Sequence, residues 1–358
     1  MRRIVLIVVL LTAAASDYAQ TPKVVTVLTG LDPVALVDGR ESKGLESLSV
    51  VRGRYRYLFS NPANKSLFER SPEIYQIQLG GGCGRMGPLS GAGNPDRFYV
   101  HDRRIYIFAS ESCRNGFKAA PELHIDKPDP LPEGSQADRR RANGLIQLAL
   151  NGLGGAARVD RLTTYRASLK VTYVDGNTTT EGDRFVTIAF PDRYRQEEKW
   201  GESTFADLLL PRMAVTLSSK ESWVREEQVR AALEREYFRQ PLAILKARRD
   251  PRFRAAASGL GKVGDVDVEF VAIGVKGATT KLGIDPKTGR ILQLSYKGRN
   301  GPIGEIVKTF SDFREVDGMW LPFKEETSFN GKLLVNPSIR YTTVTLNGKL
   351  NDELFQKP

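Results

Sequence analysis

The chain has 358 residues, of which 41% are hydrophobic and 27% are charged, the ordinary balance of a soluble globular protein. This composition excludes a disordered or fibrous chain, and the length is comfortable for two domains. The formal net charge of +11 is compatible with nucleic acid, anionic lipid or simple solubility.

The first 19 residues have the charged, apolar and small-residue order of a secretory signal peptide. Arg2 and Arg3 precede an apolar run over residues 4–11, which is too short for the about 20 residues that span a bilayer. We expect cleavage after Ala19 and a soluble periplasmic protein, which makes nucleic acid an unsuitable partner. The basic clusters at 139–141 and 246–249 fit either solvated helix ends or peripheral contact with anionic envelope lipids.

Residues 57–68 and 106–117 resemble each other without a gap, which indicates an internal repeat with a period of about 49 residues. Each copy predicts a strand, a turn and a short helix whose Phe68 or Phe117 faces inward. We therefore expect two small ββα units. Asp32 and Pro33 form a turn pair, and Asn94-Pro95 is its expected counterpart in the second unit.

The first unit resembles the YHS domain, a small module of exported and metal-handling proteins. The residues that carry this resemblance are Gly44, Phe68 and the segments 31–36, 57–60, 72–75 and 80–84. The second unit, with Cys83, Cys113 and Phe117, is similar to the related TRASH-type heavy-metal module, although Ala109 stands where that module usually has a cysteine. The resemblance covers roughly residues 28–126 and implies a site for a soft metal.

Cys83 and Cys113 are the two cysteines of the chain. In an exported protein they could form a disulfide closing a loop of about 30 residues, ligate a metal as thiolates, or remain separate thiols. Copper would suit the two sulfurs with the thioether of Met86, whereas zinc would need two further ligands. Both histidines, His101 and His124, are candidates, with an exposed imidazole and a packing role as their alternatives.

Three prolines between residues 127 and 138 predict a stiff linker. After it, the pattern predicts a helix over 137–153 and then nine or ten antiparallel strands, interrupted by one helical stretch over about 221–248. The expected fold class is α+β, with duplicated N-terminal ββα units and a C-terminal antiparallel curved sheet or half-barrel covered by helices.

The C-terminal part resembles outer-membrane lipoprotein-sorting and carrier proteins over roughly residues 139–358. The resemblance is carried by segments 149–155, 285–289, 310–322 and 351–355. It implies an incomplete β-barrel whose concave face holds acyl chains. The ligand-binding residues that we expect to line such a cavity are Val186, Ile188, Phe270 and Ala272.

No nucleophile elbow, phosphate-binding loop, zinc-protease helix or dinucleotide fingerprint occurs, so the sequence predicts a protein that is not an enzyme. The expected organisation is a signal peptide (1–19), a YHS-like domain (20–126), a linker (127–138) and a carrier-like domain (139–358). The main hypothesis is a periplasmic protein that binds copper, or zinc, through Cys83, Cys113, Met86, His101 and His124. The alternative is a non-enzymatic envelope carrier or scaffold that binds a lipid, a lipoprotein acyl chain or another apolar ligand in the C-terminal half-barrel, with Cys83 and Cys113 in a structural disulfide.

Overall fold

The computed structural model describes residues 23–219 and 222–356. The predicted signal peptide lies outside these residues. Within them, no helix combines the length and apolar character needed to cross a bilayer.

The first hairpin unit, residues 25–75, pairs a small sheet with short helices. Its elements are β1 (Val25–Thr26), α1 (Pro33–Val37), β2 (Leu45–Arg52), β3 (Tyr55–Phe59), α2 (Pro62–Arg70) and α3 (Pro72–Tyr75). Asn61 caps α2 by accepting a hydrogen bond from the Asn64 amide, and Pro62 follows at a position that suits proline. Phe68 of α2 is fully buried against the rings of Tyr57 and Phe59, at 4.8 and 5.1 Å.

The second hairpin unit, residues 76–124, has the same order of hairpin and helix. It contains β4 (Asn94–His101), β5 (Arg104–Phe108) and α4 (Glu111–Ala119), and Ser110 caps α4. Phe117 is fully buried beside the rings of Tyr106 and Phe108, at 4.9 and 5.3 Å. A duplication event and a relationship to the YHS domain remain predictions.

Four helices accompany the C-terminal sheet: α5 (Gln136–Gly152), α6 (Ala156–Arg161), α7 (Glu227–Tyr237) and α8 (Pro241–Lys246). Helix α5 begins with a reciprocal hydrogen-bonded cap between Ser135 and Asp138, in agreement with the expected helix over 137–153. The prediction of one helical stretch over 221–248 was wrong at its start, because residues from Ser222 form a strand that pairs with its neighbour. Pro241 then begins a separate helix.

The described residues contain a fourteen-stranded sheet, which confirms the predicted C-terminal antiparallel architecture. Its strands are β6 (Thr164–Asp175), β7 (Thr178–Ala189), β8 (Arg193–Trp200), β9 (Ser203–Leu210), β10 (Met213–Ser218), β11 (Ser222–Arg225), β12 (Arg254–Val263), β13 (Val266–Val275), β14 (Ala278–Ile284), β15 (Ile291–Arg299), β16 (Ile303–Val316), β17 (Met319–Phe329), β18 (Lys332–Leu333) and β19 (Ser338–Leu346). The order is β11-β10-β9-β8-β7-β6-β19-β17-β16-β15-β14-β13-β12, with β18 added beside β17.

The prediction of nine or ten strands was too low. Strands β9 and β10 contain runs of consecutive buried residues, so they lack the alternation that marks a half-buried strand. Strand β12 carries a register shift between Ala257 and Leu260, which interrupts the same signal.

The main core lies where α5 and α8 cover strands β13 to β17. Leu145 and Leu150 of α5 are 1% exposed and pack in one cluster with Ile273, Leu282 and Leu294 of the sheet. The helices therefore close one end of the curved sheet with apolar side chains.

Candidate functional site

A small pocket of about 60 Å³ lies where the helices cover the sheet, and we call it the closed pocket because it is less open than the groove described below. Its apolar wall is formed by residues from the helices and from strands β7, β15, β16 and β17, namely Leu153, Ile188, Leu242, Ile291, Phe310 and Leu321. This volume takes the end of an apolar chain and no more.

A largely buried ion pair also lines the closed pocket. The Lys308 ammonium lies 2.9 Å from the Glu325 carboxylate, and their side chains are 23% and 9% exposed. The Tyr341 hydroxyl donates to the same carboxylate at 3.3 Å. Burial by itself would lower the pKa of Lys308, but Glu325 and Tyr296 raise it above its ordinary value. Lys308 is therefore held as a cation.

An open groove of about 550 Å³ begins on the other side of this pair. Lys308 and Glu325 line both the groove and the closed pocket, so the two spaces adjoin. Ile306 and Ile339 contribute apolar surface to the groove, and Arg184, Arg299 and Lys324 contribute further cations. The groove volume lies in the range of about 300–1,000 Å³ that is usual for small-molecule sites.

The outer edge of the groove is an apolar lip formed by Leu333, Leu334 and Val335. Leu333 is 57% exposed and Val335 is 75% exposed. The Asn336 side chain fixes the end of the lip, because it accepts from the Val174 amide at 3.0 Å and donates to the Val174 carbonyl at 2.6 Å. The lip is thus an ordered apolar surface facing solvent.

The N-terminal part packs beside the same sheet. Leu89, from the glycine-rich segment between the hairpin units, packs against a core cluster that contains Ile188 and Leu233. Asp126 forms an ion pair with Arg299 of β15 at 3.0 Å. A further groove of about 410 Å³ between these parts is lined by Met86, Leu89 and Arg239.

The structure does not bring the four expected lining residues together. Ile188 lines the closed pocket, and Val186 packs against the adjoining core cluster. Phe270 and Ala272 alternate with Val271 and Ile273, which join the helix-covered core, so they lie on the other face of β13. There Ala272 lines a separate groove of about 440 Å³. Ligand binding by these four residues remains a prediction.

Sequence reasoning missed the charged pair at the centre of the groove. Lys308 stands between Ile306 and Phe310 on one face of β16, and both of these neighbours are buried. A charge at a position where the strand period requires an apolar residue was the available signal. The partner could not be found in this way, because Glu325 depends on the register between β16 and β17.

The two cysteines lie side by side as free thiols, so the structure does not contain the expected disulfide. Cys83 is 1% exposed and accepts a hydrogen bond from the Ala109 amide at 3.5 Å. Cys113 is partly exposed and packs against the cluster that contains Cys83, Tyr106, Phe108 and Phe117.

The proposed metal ligands are not gathered into one site. The described part of the chain contains no group of three or more His, Cys, Asp or Glu residues placed to hold a metal. His124 Nδ1 lies 3.0 Å from the Arg85 carbonyl, and the ring stacks on Phe117. His101 also contacts Phe117, while Met86 is 44% exposed and lines the 410 Å³ groove. Copper or zinc binding therefore has no support from these residues.

Burial lowers the pKa of the His124 imidazole, although hydrogen bonds to the Gly301 and Arg85 carbonyls act in the opposite direction. The ring is thus a packed side chain with its nitrogen engaged by the backbone. This favours the structural interpretation of His124.

No protein-family profile and no curated protein matches the chain. Among solved structures, a LolA superfamily protein from Nitrosomonas europaea is similar at 12% identity and a TM-score of 0.41. A DUF1329 family protein from Desulfovibrio piger has 11% identity and a TM-score of 0.35, and a putative outer membrane lipoprotein-sorting protein domain from Vibrio parahaemolyticus has 11% and 0.34. Each similarity covers 60% of this chain and 97% of the other. These values are too low to assign a family or a function.

Proposed function

We propose that the chain is a non-catalytic carrier of the cell envelope that binds an amphiphile with an acyl chain. One observation carries this proposal: the closed pocket, the charged pair and the open groove with its apolar lip adjoin in this order on one sheet. A ligand with an apolar chain and a polar group matches this series of surfaces. A metal ion does not.

The free energy of binding an acyl chain requires apolar contacts in the groove as well as in the closed pocket. Each buried methylene contributes about 0.8 kcal/mol, so a chain of ordinary length must cover apolar surface well beyond a space of about 60 Å³. The open groove offers that surface at Ile306, Ile339 and the lip. We therefore place the acyl chain along the groove and the polar group at Lys308 and Glu325.

The charged pair favours binding over catalysis. A lysine that acts as a base or nucleophile needs a pKa lowered towards neutrality, whereas that of Lys308 is raised. In its cationic form Lys308 can hold an ester carbonyl or a phosphate, and Glu325 can accept from a ligand hydroxyl. Release of the ligand would restore the existing pair.

The experiment is a fluorescence titration of the full mature chain with a fatty acid that carries an environment-sensitive fluorophore. Val335→Glu places a charge on the lip, and we expect its Kd to rise at least about tenfold, equivalent to about 1.4 kcal/mol. Leu260→Glu is the matched control, because Leu260 is 81% exposed but lines neither the pocket nor the groove. Absence of saturable binding, or equal weakening in both variants, would overturn the proposal.

A second variant tests whether Lys308 and Glu325 bind the polar group of the ligand. Lys308→Met together with Glu325→Leu removes both charges, so no unpaired buried charge remains. We expect the double variant to retain a hydrocarbon probe while losing its preference for an amphiphile of the same chain length. An unchanged preference would show that the pair does not contact the ligand.

A further inference from the structure

The thiol pair, Cys83 and Cys113, lies in a backbone arrangement that occurs in both hairpin units. In the first hairpin unit, the Asp32 amide donates to the Ser42 carbonyl at 2.8 Å, and the Gly44 amide donates to the Gly30 carbonyl at 2.9 Å. In the second, the Cys83 amide donates to the Gly91 carbonyl at 3.3 Å, and the Gly93 amide donates to the Gly81 carbonyl at 2.9 Å. We call this pair of hydrogen bonds the backbone frame of each unit. Within it, Cys83 is the counterpart of Asp32.

The side chains facing these two positions also correspond. Asp32 accepts from the Ser60 amide at 2.8 Å and from the Asn64 side chain at 2.7 Å. Cys83 accepts from the Ala109 amide, and Cys113 packs against the cluster to which Cys83 belongs. Asn64 lies three residues after Asn61, the cap of α2, and Cys113 lies three residues after Ser110, the cap of α4. The frame thus brings two thiols, about 30 residues apart in the chain, into one packed cluster.

The two thiols have unequal surroundings. Cys113 lies in the first turn of the nine-residue helix α4, where backbone amides favour a thiolate. The hydrogen bond with Ser110 lowers the pKa of Cys113; burial acts against this, and Cys83 and Arg85 lower it further. Burial raises the pKa of Cys83, although hydrogen bonds from backbone amides act against it.

A guanidinium group near Cys113 contributes to the same asymmetry. Among the described residues, the Nε atoms of Arg85 and Arg114 are buried and have no hydrogen-bond partner. Arg85 packs beside Gly116, one helical turn from Cys113, and acts on the thiol electrostatically. The Arg114 guanidinium is paired with the Glu111 carboxylate at 2.7 Å, so Arg85 is the positive charge that favours the Cys113 thiolate.

We propose that Cys83 and Cys113 form a thiol–disulfide exchange site, with Cys113 as the attacking thiol and Cys83 as the resolving thiol. The partly exposed Cys113 thiolate attacks one sulfur of a substrate disulfide, which expels the other sulfur as a thiolate and leaves a mixed disulfide. Cys83 then loses its proton and attacks the Cys113 sulfur, expelling the second substrate thiolate. The products are an internal disulfide and two substrate thiols, so two electrons pass from the pair to the substrate.

The test uses the full mature chain, reduced and then mixed with oxidised glutathione. In Cys83→Ser we expect a stable glutathione adduct on Cys113, detected by intact mass. In Cys113→Ser the remaining buried thiol should react at least about tenfold more slowly. The wild-type chain should instead form the internal disulfide and carry no glutathione. Equal rates in the two variants, or persistent adducts on the wild-type chain, would overturn the proposal.

Two further measurements do not depend on removing a cysteine. Titration of the wild-type chain in glutathione buffers should show a reversible two-electron transition without loss of the folded circular dichroism spectrum. An internal disulfide that is reduced only on unfolding would indicate a structural disulfide and refute the proposal.

Arg85→Gln should shift the pH profile of Cys113 alkylation to higher pH. Lys118→Gln is the control, since Lys118 lies on the same helix over the Tyr99 ring and should leave the profile unchanged.

Discussion

The two hairpin units use one backbone frame for different chemistry. Asp32, which is fully buried, accepts hydrogen bonds from Val34, Ser60 and Asn64 at 2.7–2.9 Å. Cys83 at the equivalent position accepts a hydrogen bond from the Ala109 amide at 3.5 Å and shares a packed cluster with Cys113. Sulfur is a weak acceptor, so this position contributes less to stability in the second unit. The comparison indicates that the first frame is a structural joint, whereas the second holds the pair that we propose for thiol–disulfide exchange.

The largest effect is expected for Asp32→Ala. The substitution leaves several buried donors without an acceptor and removes the cap of α1, so we expect a loss of about 3 kcal/mol in the free energy of unfolding. Asp96→Ala is the matched control, since this exposed carboxylate accepts the Thr29 amide at 2.7 Å and should contribute about 1 kcal/mol or less. Urea unfolding of both variants gives the comparison, and equal losses would contradict the role assigned to Asp32.

The stabilisation from Asp32 should also depend on pH. Burial by itself would raise the pKa of this carboxyl, but hydrogen bonds from Asn64 and Ser60 outweigh burial and lower it. A lowered carboxyl pKa gives stability that is present above the ordinary value of about 3.9 and is lost as the pH falls through the folded-state pKa. The difference in unfolding free energy between the wild type and Asp32→Asn should therefore shrink as the pH is lowered from 6 to 3. A constant difference would contradict this account.

A smaller effect is expected for substitutions of Cys83 and Cys113, which test whether the two backbone frames are equivalent. Cys83→Asp alone places a carboxylate opposite a thiol, whereas adding Cys113→Asn supplies the amide donor that Asn64 provides in the first unit. We expect a favourable coupling of about 1 kcal/mol between the two substitutions, measured by a double-mutant cycle of unfolding free energies. Zero coupling would mean that the two positions do not face each other as Asp32 and Asn64 do.

The sequence was sufficient to predict the hairpin–helix order, because caps, prolines and aromatic spacing act locally. It was not sufficient to pair Cys83 with Asp32. The ungapped repeat of about 49 residues matches the helices, but the segment before each hairpin is displaced by two residues, so Leu28–Gly30 corresponds to Leu79–Gly81. The expected match of Asp32-Pro33 with Asn94-Pro95 was therefore wrong, since Asn94 begins β4.

The C-terminal site was less accessible to sequence reasoning for a different reason. Alternation placed Val186 and Ile188 on the face that carries the core. On β13 we expected Phe270 and Ala272 on that face as well, but they lie on the other one. Alternation identifies two faces without saying which one the helices cover. The pair of Lys308 and Glu325 depends on strand register, which single-strand patterns do not contain.

Native mass spectrometry of the full mature chain mixed with a single-chain lysophospholipid tests the central proposal most directly. The account predicts one lipid per chain, retained by Leu260→Glu and lost from Val335→Glu at the same lipid concentration. A statistical distribution of adducts that is the same for both variants would contradict an amphiphile site in the open groove.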